Sequence, residues 1–359
     1  MNRSTADTRH LILLTGIAVV LFILLSALRP GIFLTVTNLQ SMAIQVSFLG
    51  LLSLAVATTL LVGAIDLSVL AIANLSAILA AFTITAVEPA AGAAVGVSAG
   101  LGAGLLTGGV AGTLNGLLVS RLRVHPIVIT LGTMILYTGI ATGLTGGRTV
   151  YSTGSLEPIG TAALLGIPVP FLITAVAIVI LHIATTRTPF GLRVRTIGKS
   201  EPVSRYARLN VVGIQTIVYI VSGCLSAIGG LMILAQNNAT NVEFGSSFLV
   251  QAILVAILAG VNPYGGSGRL VYILVALAVL QQVSTGLNML FAGWQGATFA
   301  REFVWGLLLI AVLAGSRIER RRVARPDPPA TSTMTTPTSV VPTPRRAFTL
   351  FSGSSRTTH

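Results

Sequence analysis

Long apolar runs limit the fold of this chain more than any other feature. A transmembrane helix needs about 20 consecutive apolar residues, and ten runs of roughly this kind recur along the sequence. They lie near residues 11–28, 42–62, 67–87, 91–119, 126–145, 167–186, 211–235, 246–261, 270–290 and 297–315. Because backbone amides in hydrocarbon must be satisfied internally, the runs predict an all-α polytopic membrane protein with about ten transmembrane helices. The run 246–261 is short and its limits are indistinct, so nine or eleven spans remain open.

The scarcity of charge excludes a soluble globular fold. Only 9% of the 359 residues are charged and 53% are apolar, whereas a soluble domain carries roughly a quarter charged residues. A surface that faces water on all sides cannot be assembled from so few charges.

The distribution of positive charge predicts the orientation in the membrane. If the chain crosses ten times and both termini are cytoplasmic, all but three of its 22 lysines and arginines face the cytoplasm. The exceptions are Arg29, Arg148 and Arg301. This asymmetry follows the positive-inside rule. Cytoplasmic flanks that face anionic lipid explain the net charge of +13, so no nucleic acid partner is expected.

Composition divides the chain into three parts. Residues 1–10 are a short cytoplasmic N-terminus, and residues 11–316 form the transmembrane domain. The first span is expected to remain uncleaved, because it is longer than the apolar core of a signal peptide. Residues 317–359 are first basic and then rich in Pro, Thr and Ser, a composition typical of a disordered cytoplasmic tail.

One long polar interval, residues 187–210, separates the sixth and seventh runs. It carries six cations and one acid, which predicts a docking surface for a cytoplasmic protein that drives transport. Residues 198–200 match the end of a nucleotide-binding loop, but Arg193 stands where that motif needs glycine and no strand precedes it. We therefore expect no ATP site. The single Cys224 and four scattered histidines indicate no metal site or other cofactor on this chain.

Asp66 is the ionisable residue that stands out among the apolar runs, where such residues are functional candidates by default. Gly63 precedes it and a new apolar run follows, which predicts that one helix breaks here and the next begins. Two interpretations remain open. The carboxylate either caps the second helix by accepting hydrogen bonds from free amides, or it contacts the solute.

Seven glycines stand at every fourth position from 92 to 116. Small residues at this spacing let a neighbouring helix approach closely, and four residues advance a helix by about 40° beyond one turn. The pattern therefore predicts a glycine ridge that winds around a closely surrounded, central helix.

Uncharged polar residues within the runs either line a route for a hydroxylated solute or bond one helix to another. They are Gln45, Ser53, Thr58, Thr59, Asn74, Asn115, Thr130, Thr133, Gln251, Gln281, Gln282 and Asn288. Several buried acids or bases would be expected of a proton- or sodium-coupled transporter, and the sequence shows no such set. No group of residues indicates a catalytic site either, so the chain is not expected to be an enzyme.

Four glycine-containing motifs resemble signatures of one transporter family. Residues 63–68, Gly-Ala-Ile-Asp-Leu-Ser, resemble the G-G-I-D-L-S motif of permeases in bacterial ABC importers of the ribose type. Residues 126–134, 144–148 and 260–268 are similar to three further segments of that family. The motifs occur in the family's order, and with the connecting spans they cover roughly residues 35–315.

The resemblance implies transport of a monosaccharide or a similar small hydroxylated solute across the bacterial inner membrane. It implies a second permease copy or paralogue, a separate cytoplasmic ATP-binding subunit, an extracytoplasmic sugar-binding protein and contact with membrane lipid. Residues 196–209 would contain the coupling helix that docks on the ATP-binding subunit. Permeases for nucleosides or branched-chain amino acids remain alternatives, although the form of residues 65–68 favours the sugar branch.

The predicted site residues form two sets. The set for coupling to the ATP-binding subunit comprises Gly198, Glu201, Ser204, Arg205, Arg208 and Leu209. The set that lines or shapes the pathway comprises Asp66, Ser68, Asn74, Asn115, Thr130, Thr133, Gly265, Gly266 and Gly268. In the coupling segment the chain departs from the family pattern at Ser200, Val203, Ser204 and Arg208, where Asn, two Ala and Gly are usual. These departures bear on which ATP-binding subunit docks there.

Overall fold

Helices dominate the part of the chain that the structure describes. The computed structural model describes residues 3–122, 124–291 and 303–311, with side chains from residue 11 onwards. The helices are α1 (Arg3–Leu28), α2 (Pro30–Phe33), α3 (Val36–Leu61), α4 (Val69–Ala91), α5 (Ala93–Leu122), α6 (Pro126–Thr145), α7 (Glu157–Thr161), α8 (Val169–Arg187), α9 (Pro189–Lys199), α10 (Glu201–Tyr206), α11 (Val211–Asn237), α12 (Phe248–Leu258) and α13 (Tyr272–Leu290). Residues 303–311 are also helical.

The long helices correspond to the predicted spans. Within the described ranges, eight helices are long and apolar enough to cross a membrane: α1, α3, α4, α5, α6, α8, α11 and α13. The short eighth run forms α12, which has 11 residues. Of the predicted tenth span only residues 303–311 are described, and the tail 317–359 lies outside the described residues. The predicted all-α polytopic fold is confirmed.

The two ends of the helix bundle differ in their connections. Helices α9 and α10 join α8 to α11 and carry most of the cations of the polar interval, so we call their end the basic end. At the opposite end, β1 (Val150–Tyr151) pairs antiparallel with β4 (Ala239–Thr240). There β2 (Ala163–Leu164) also pairs antiparallel with β3 (Ile167–Pro168). These short pairs tie down the loops that follow α6 and α11.

Helix α3 occupies the centre of the bundle. Along its most apolar stretch 89% of the residues are buried, and α8, α11, α12 and α13 pack against it. The prediction that the glycine-rich helix is central was wrong, because only 22% of the corresponding stretch of α5 is buried. The glycine spacing reports close contact only along the side of α5 that faces α4 and α11. On its other face α5 exposes Leu106 and Val110, side chains suited to lipid or to another membrane protein.

The glycine ridge of α5 winds from one neighbour to the next, as its spacing predicts. Near the start of the helix, a Cβ on Gly96 would lie 2.8 Å from the Cβ of Glu88 on α4. Further along, Gly104 faces Leu231 on α11, and Gly112 faces the backbone of Tyr219 on the same helix. Small residues let helix backbones approach closely in a membrane. The ridge therefore brings α5 close to both α4 and α11, which also contact each other.

Glycine-to-alanine substitutions on and off the ridge distinguish the effect of packing on stability from the effect of helix propensity. A Cβ at Gly112 would meet the Tyr219 carbonyl oxygen and lie 2.9 Å from the Cα of Ile220, whereas Gly102 on the same helix has open space around it. We expect Gly112→Ala to destabilise the protein by about 1–3 kcal/mol through overpacking. Gly102→Ala should be neutral or stabilising, because alanine is the better helix former by about 1 kcal/mol.

Thermal unfolding of the detergent-solubilised variants measures this difference. Equal midpoints for Gly112→Ala and Gly102→Ala would contradict a packing role for the ridge.

Candidate functional site

The chain breaks between α3 and α4 at residues 62–68, the interval that contains Asp66. Gly63 follows the end of α3 with φ of +79°, a left-handed conformation that glycine adopts without steric cost. The amides of Gly63 and Ala64 bond back to the carbonyls of Leu60 and Thr59, so the end of α3 keeps its hydrogen bonds. The predicted helix break is confirmed, and it introduces a carboxylate into the interior of the bundle.

Asp66 is completely buried and accepts three hydrogen bonds. Its Oδ1 accepts from the backbone N–H of Ser68 at 2.9 Å and from the Ser68 hydroxyl at 2.6 Å. Its Oδ2 accepts from the hydroxyl of Ser222 on α11 at 3.3 Å. Ser68 is the N-cap residue of α4. The carboxylate therefore secures the start of α4 through the backbone of its capping residue.

Polar side chains from two further helices extend these bonds into a network. The Asn115 side-chain amide on α5 donates to the Ser68 hydroxyl at 2.7 Å. The Tyr137 hydroxyl on α6 donates to Asn115 Oδ1 at 3.0 Å. Thr130, also on α6, donates to the carbonyl of Ile65 at 3.1 Å. We call Asp66, Ser68, Asn115, Thr130, Tyr137 and Ser222 the Asp66 network. It joins α4, α5, α6 and α11 at the helix break.

The geometry favours the capping interpretation of Asp66. Both carboxylate oxygens are engaged by donors within the protein, and the side chain has no exposed surface. A buried carboxylate requires such bonds because an unsatisfied one is very costly to remove from water. The sequence analysis identified four members of the network but missed Tyr137 and Ser222, since a lone tyrosine or serine in an apolar run is unremarkable. Direct contact of Asp66 with the solute stays a prediction.

Two substitutions of similar size distinguish hydrogen bonding from charge at Asp66. In Asp66→Asn, the amide oxygen still accepts from Ser68, and the Ser222 hydroxyl can turn to accept from the new NH₂ group. We therefore expect near-normal stability. In Asp66→Leu, the Ser68 amide and both hydroxyls lose their acceptor, at about 1–3 kcal/mol for each buried group left unsatisfied.

The readouts are the amount of protein in the membrane and its thermal unfolding midpoint in detergent. If both variants fold but neither transports, the negative charge itself is required and Asp66 acts on the solute.

Four glycines meet at the basic end in a cluster that we call the glycine bracket: Gly63, Gly198, Gly265 and Gly266. A Cβ on Gly265 would lie 2.6 Å from the carbonyl oxygen of Gly198 and 2.7 Å from the Cα of Gly63. A Cβ on Gly198 would meet the Leu61 carbonyl oxygen and the Gly266 amide nitrogen. That amide donates to the same Leu61 carbonyl at 2.9 Å. The end of α3, the end of α9 and the loop after α12 thus touch through backbone atoms.

Arg195 fastens the same region with a charged side chain that the sequence analysis missed. Its Nε donates to the carbonyl of Thr185 near the end of α8 at 3.0 Å. Its Nη2 donates to the carbonyl of Gly268 at 2.7 Å. One arginine of α9 therefore ties α8 to the loop after α12. Because Arg195 lies among other cations in the sequence, the sequence analysis could not predict these two hydrogen bonds.

Helix α10 presents the most exposed surface of the predicted coupling segment. Ser204 is buried, and its hydroxyl donates to the Ser200 carbonyl at 2.9 Å. Arg205 and Glu201 form an ion pair at 2.7 Å along the helix. Val203 and Tyr206, which the sequence analysis did not select, are 61% and 91% exposed. The surface available to a partner therefore includes an apolar and aromatic element beside the charges.

The turn after α10 contains the remaining predicted coupling residues. Arg208 has a φ of +56°, which is uncommon for a residue other than glycine. The amide of Leu209 donates back to the Ser204 carbonyl at 3.1 Å. Arg208 is exposed whereas Leu209 is half-buried, so Leu209 supports the turn while Arg208 projects from it.

The predicted pathway residues do not form a single site. Gly265 and Gly266 belong to the glycine bracket, and Gly268 accepts from Arg195 beside it. Asn74 lies towards the opposite end, where its amide donates to the carbonyls of Val242 and Phe244 at 2.9 and 3.1 Å. The rest fall in or next to the Asp66 network, including the buried Thr133, whose hydroxyl donates to the Thr130 carbonyl. Their role along a pathway stays a prediction.

A family model covers most of the chain. The model described as "Branched-chain amino acid transport system / permease component" matches residues 38–313. These residues include the Asp66 network, the glycine bracket and α10. No solved structure matches the chain.

Several curated permeases that are named for sugars resemble the chain. The chain is 33% identical over 299 residues to the ribose import permease protein of Bacillus subtilis (strain 168), covering 82% of this chain and 89% of that one. It is 30% identical over 304 residues to the D-allose transport system permease protein of Escherichia coli (strain K12), covering 84% and 90%. It is 28% identical over 303 residues to the L-arabinose transport system permease protein of the same strain, covering 84% and 89%.

Proposed function

The chain belongs to the family of branched-chain amino acid transport system / permease components, and from this membership we propose a specific role within it. The chain is a multi-pass permease of the bacterial inner membrane. It forms the translocation pathway of an ATP-driven importer for a monosaccharide or a similar small hydroxylated solute. The sugar relatives support this solute class over nucleosides and branched-chain amino acids, since ribose, allose and arabinose appear in the names of relatives that span most of the chain.

One structural observation supports the proposal that a separate protein drives transport. An exposed helix, α10, follows directly on α9, and α9 is fixed through the glycine bracket to the turn that holds Asp66. Backbone atoms that are in direct contact transmit a displacement more directly than flexible side chains do. A protein that moves α10 would therefore move the helix break between α3 and α4. This is the mechanical link that a permease driven by a separate ATPase requires.

We propose that the partners occupy different faces of the chain. The basic end faces the cytoplasm, where residues 196–209 dock on an ATP-binding subunit that hydrolyses ATP. A sugar-binding protein delivers solute at the opposite end. Exposed apolar side chains such as Leu106 on α5 and Ile135 on α6, 69% and 64% exposed, support contact with lipid and with a second permease copy or paralogue. We propose that the chain itself needs no cofactor, metal or catalytic residue, and the residues that the structure describes contain no group of His, Cys, Asp and Glu side chains that could hold a metal ion.

A pair of exposed tyrosines tests the docking surface without disturbing the core. Tyr206 on α10 is 91% exposed and Tyr151 on β1 is 72% exposed, so a substitution at either site should cost the fold little. Aromatic residues often dominate binding energy at protein interfaces. We expect Tyr206→Asp to weaken binding of the ATP-binding subunit at least about tenfold, which corresponds to about 1.4 kcal/mol. Tyr151→Asp should leave binding unchanged.

Co-purification and transport-linked ATP hydrolysis provide the measurements. Wild-type assembly and transport in Tyr206→Asp would place the docking surface elsewhere.

Uptake into proteoliposomes tests the function as a whole. The chain is reconstituted with its ATP-binding subunit and its binding protein, and uptake of labelled D-ribose, D-allose and L-arabinose is followed. We expect uptake of at least one sugar that requires both ATP and the binding protein. Sugar uptake driven by a proton or sodium gradient without ATP would contradict an ATP-driven importer. Uptake of L-leucine in place of any sugar would establish the amino acid alternative.

A further inference from the structure

A cavity of about 300 Å³ lies among α3, α11, α12, α13 and the helical residues 303–311. Gln45 lies in the first half of α3, Gln236 near the end of α11 and Phe248 at the start of α12. These helix ends are the ones remote from the basic end. The cavity is therefore in the half of the bundle at which we propose that the binding protein delivers solute. Its volume is at the lower end of the range of about 300–1,000 Å³ typical of small-molecule sites.

Amides are the most numerous polar side chains in the lining of this cavity. Its described lining includes Gln45, Gln236, Asn237, Gln251 and Gln281. Each primary amide offers two N–H donors and a carbonyl acceptor, which suits neighbouring hydroxyl groups that both donate and accept. None of the described lining residues is ionisable. An amino acid zwitterion would bring two charges that nothing in this lining could pair, at high cost in desolvation.

Two donors in the lining have no hydrogen-bond partner among the described residues. They are Nε2 of Gln236 and Nε1 of Trp305, and both atoms are buried. Trp305 as a whole is 4% exposed. Buried polar groups without a partner are uncommon and cost about 1–3 kcal/mol each. By contrast, the Gln281 amide is engaged with Gln45 and Thr285 at 3.0 and 3.3 Å. Part of the lining is therefore arranged by internal bonds, whereas the Gln236 amide is not held by a bond from Nε2 and can rotate towards a solute.

Aromatic rings form another part of the lining. Phe48 and Phe248 pack edge to face with ring centroids 5.2 Å apart, and Phe244 and Trp305 line the same cavity. Aromatic side chains provide a large apolar surface of fixed shape. A monosaccharide presents hydroxyl groups at its edge and C–H groups on its faces. The combination of amides and rings fits both kinds of surface.

We propose that this amide–aromatic cavity is a subsite for a neutral monosaccharide, contained within one permease chain. The lining amides, Gln236 among them, bond to the sugar hydroxyls, and the aromatic rings pack against its C–H faces. This proposal rests on the proposed function, because it specifies where in the permease the imported solute binds. The Asp66 network is not part of the subsite, since its side chains bond to one another.

The chain contains its own fluorescent reporter for this subsite. Its two tryptophans are Trp294 and Trp305, so the Trp294→Phe variant leaves the cavity tryptophan as the single emitter. Millimolar D-ribose, D-allose and L-arabinose are added to this variant in detergent, with L-leucine as the zwitterionic comparison. We expect a saturable change in Trp305 emission with the sugar that the assembled transporter takes up, and no change with L-leucine. No change with a transported sugar would overturn the proposal.

Two glutamines provide a matched pair of variants. Gln236 lines the cavity and has an unpartnered Nε2, while Gln282 on α13 has an unpartnered, buried Oε1 and is not part of the lining. Replacing either by leucine in the Trp294→Phe background removes an unsatisfied group, so the unfolding midpoint should stay the same or rise. We expect Gln236→Leu to weaken the sugar-dependent emission change at least tenfold and Gln282→Leu to leave it unchanged. Equal effects of the two substitutions would overturn the subsite.

The experiments distinguish failure of the subsite from failure of the proposed function. ATP-dependent sugar uptake that is normal in Gln236→Leu, together with no emission change in the parent variant, would remove the subsite and leave the importer function intact. Uptake of L-leucine and of no sugar would remove the function, and the subsite with it.

Discussion

The absence of water inside the membrane is the constraint on which the rest of this structure depends. Each backbone group that leaves a helix there must find a partner within the protein. The chain nevertheless breaks at residues 62–68, and Asp66 is completely buried at the break. The break is possible because the amides after α3 bond back into that helix and because Asp66 secures Ser68 at the start of α4. The network around it is the means by which an irregular segment is kept within an apolar bundle.

Much of the fold follows from the sequence because the same constraint acts on every span. Long apolar runs have few alternatives to helices in lipid, so most of the runs that lie within the described residues coincide closely with helices. The break at Asp66 was predicted from a single acid that follows a glycine by three residues. The degree to which each helix is buried within the bundle was harder to predict from the sequence. Lipid and protein interior are both apolar, so hydropathy does not distinguish the central α3 from the peripheral α5, which are 89% and 22% buried along their apolar stretches. The glycine spacing was correct about contact and gave no information about centrality.

The sequence predicted those site residues whose side chains are unusual in their surroundings, and it missed those whose side chains are common there. A carboxylate in an apolar run is conspicuous, whereas Tyr137, Ser222 and Arg195 acquire their roles only when the helices are assembled. The same holds for the glycines at 265 and 266, which the sequence analysis assigned to the pathway set. In the structure they pack against α9 and the turn after α3 instead of joining the Asp66 network. A motif therefore identified important residues, and the three-dimensional arrangement was needed to assign them to regions.

The separation of the glycine bracket from the surface of α10 has a consequence for how such permeases diversify. The bracket consists of backbone contacts. Any side chain added to Gly198 or Gly265 would therefore collide with backbone atoms of a neighbouring segment. Val203 and Tyr206 are largely exposed, and their replacement costs the fold little. Under the proposed docking of an ATP-binding subunit on α10, recognition of that subunit and transmission of its movement would depend on different residues only a few positions apart. If α10 docks the ATP-binding subunit as we propose, a permease could come to use a different ATP-binding subunit through changes on the outer face of α10, while the backbone contacts of the glycine bracket stay the same.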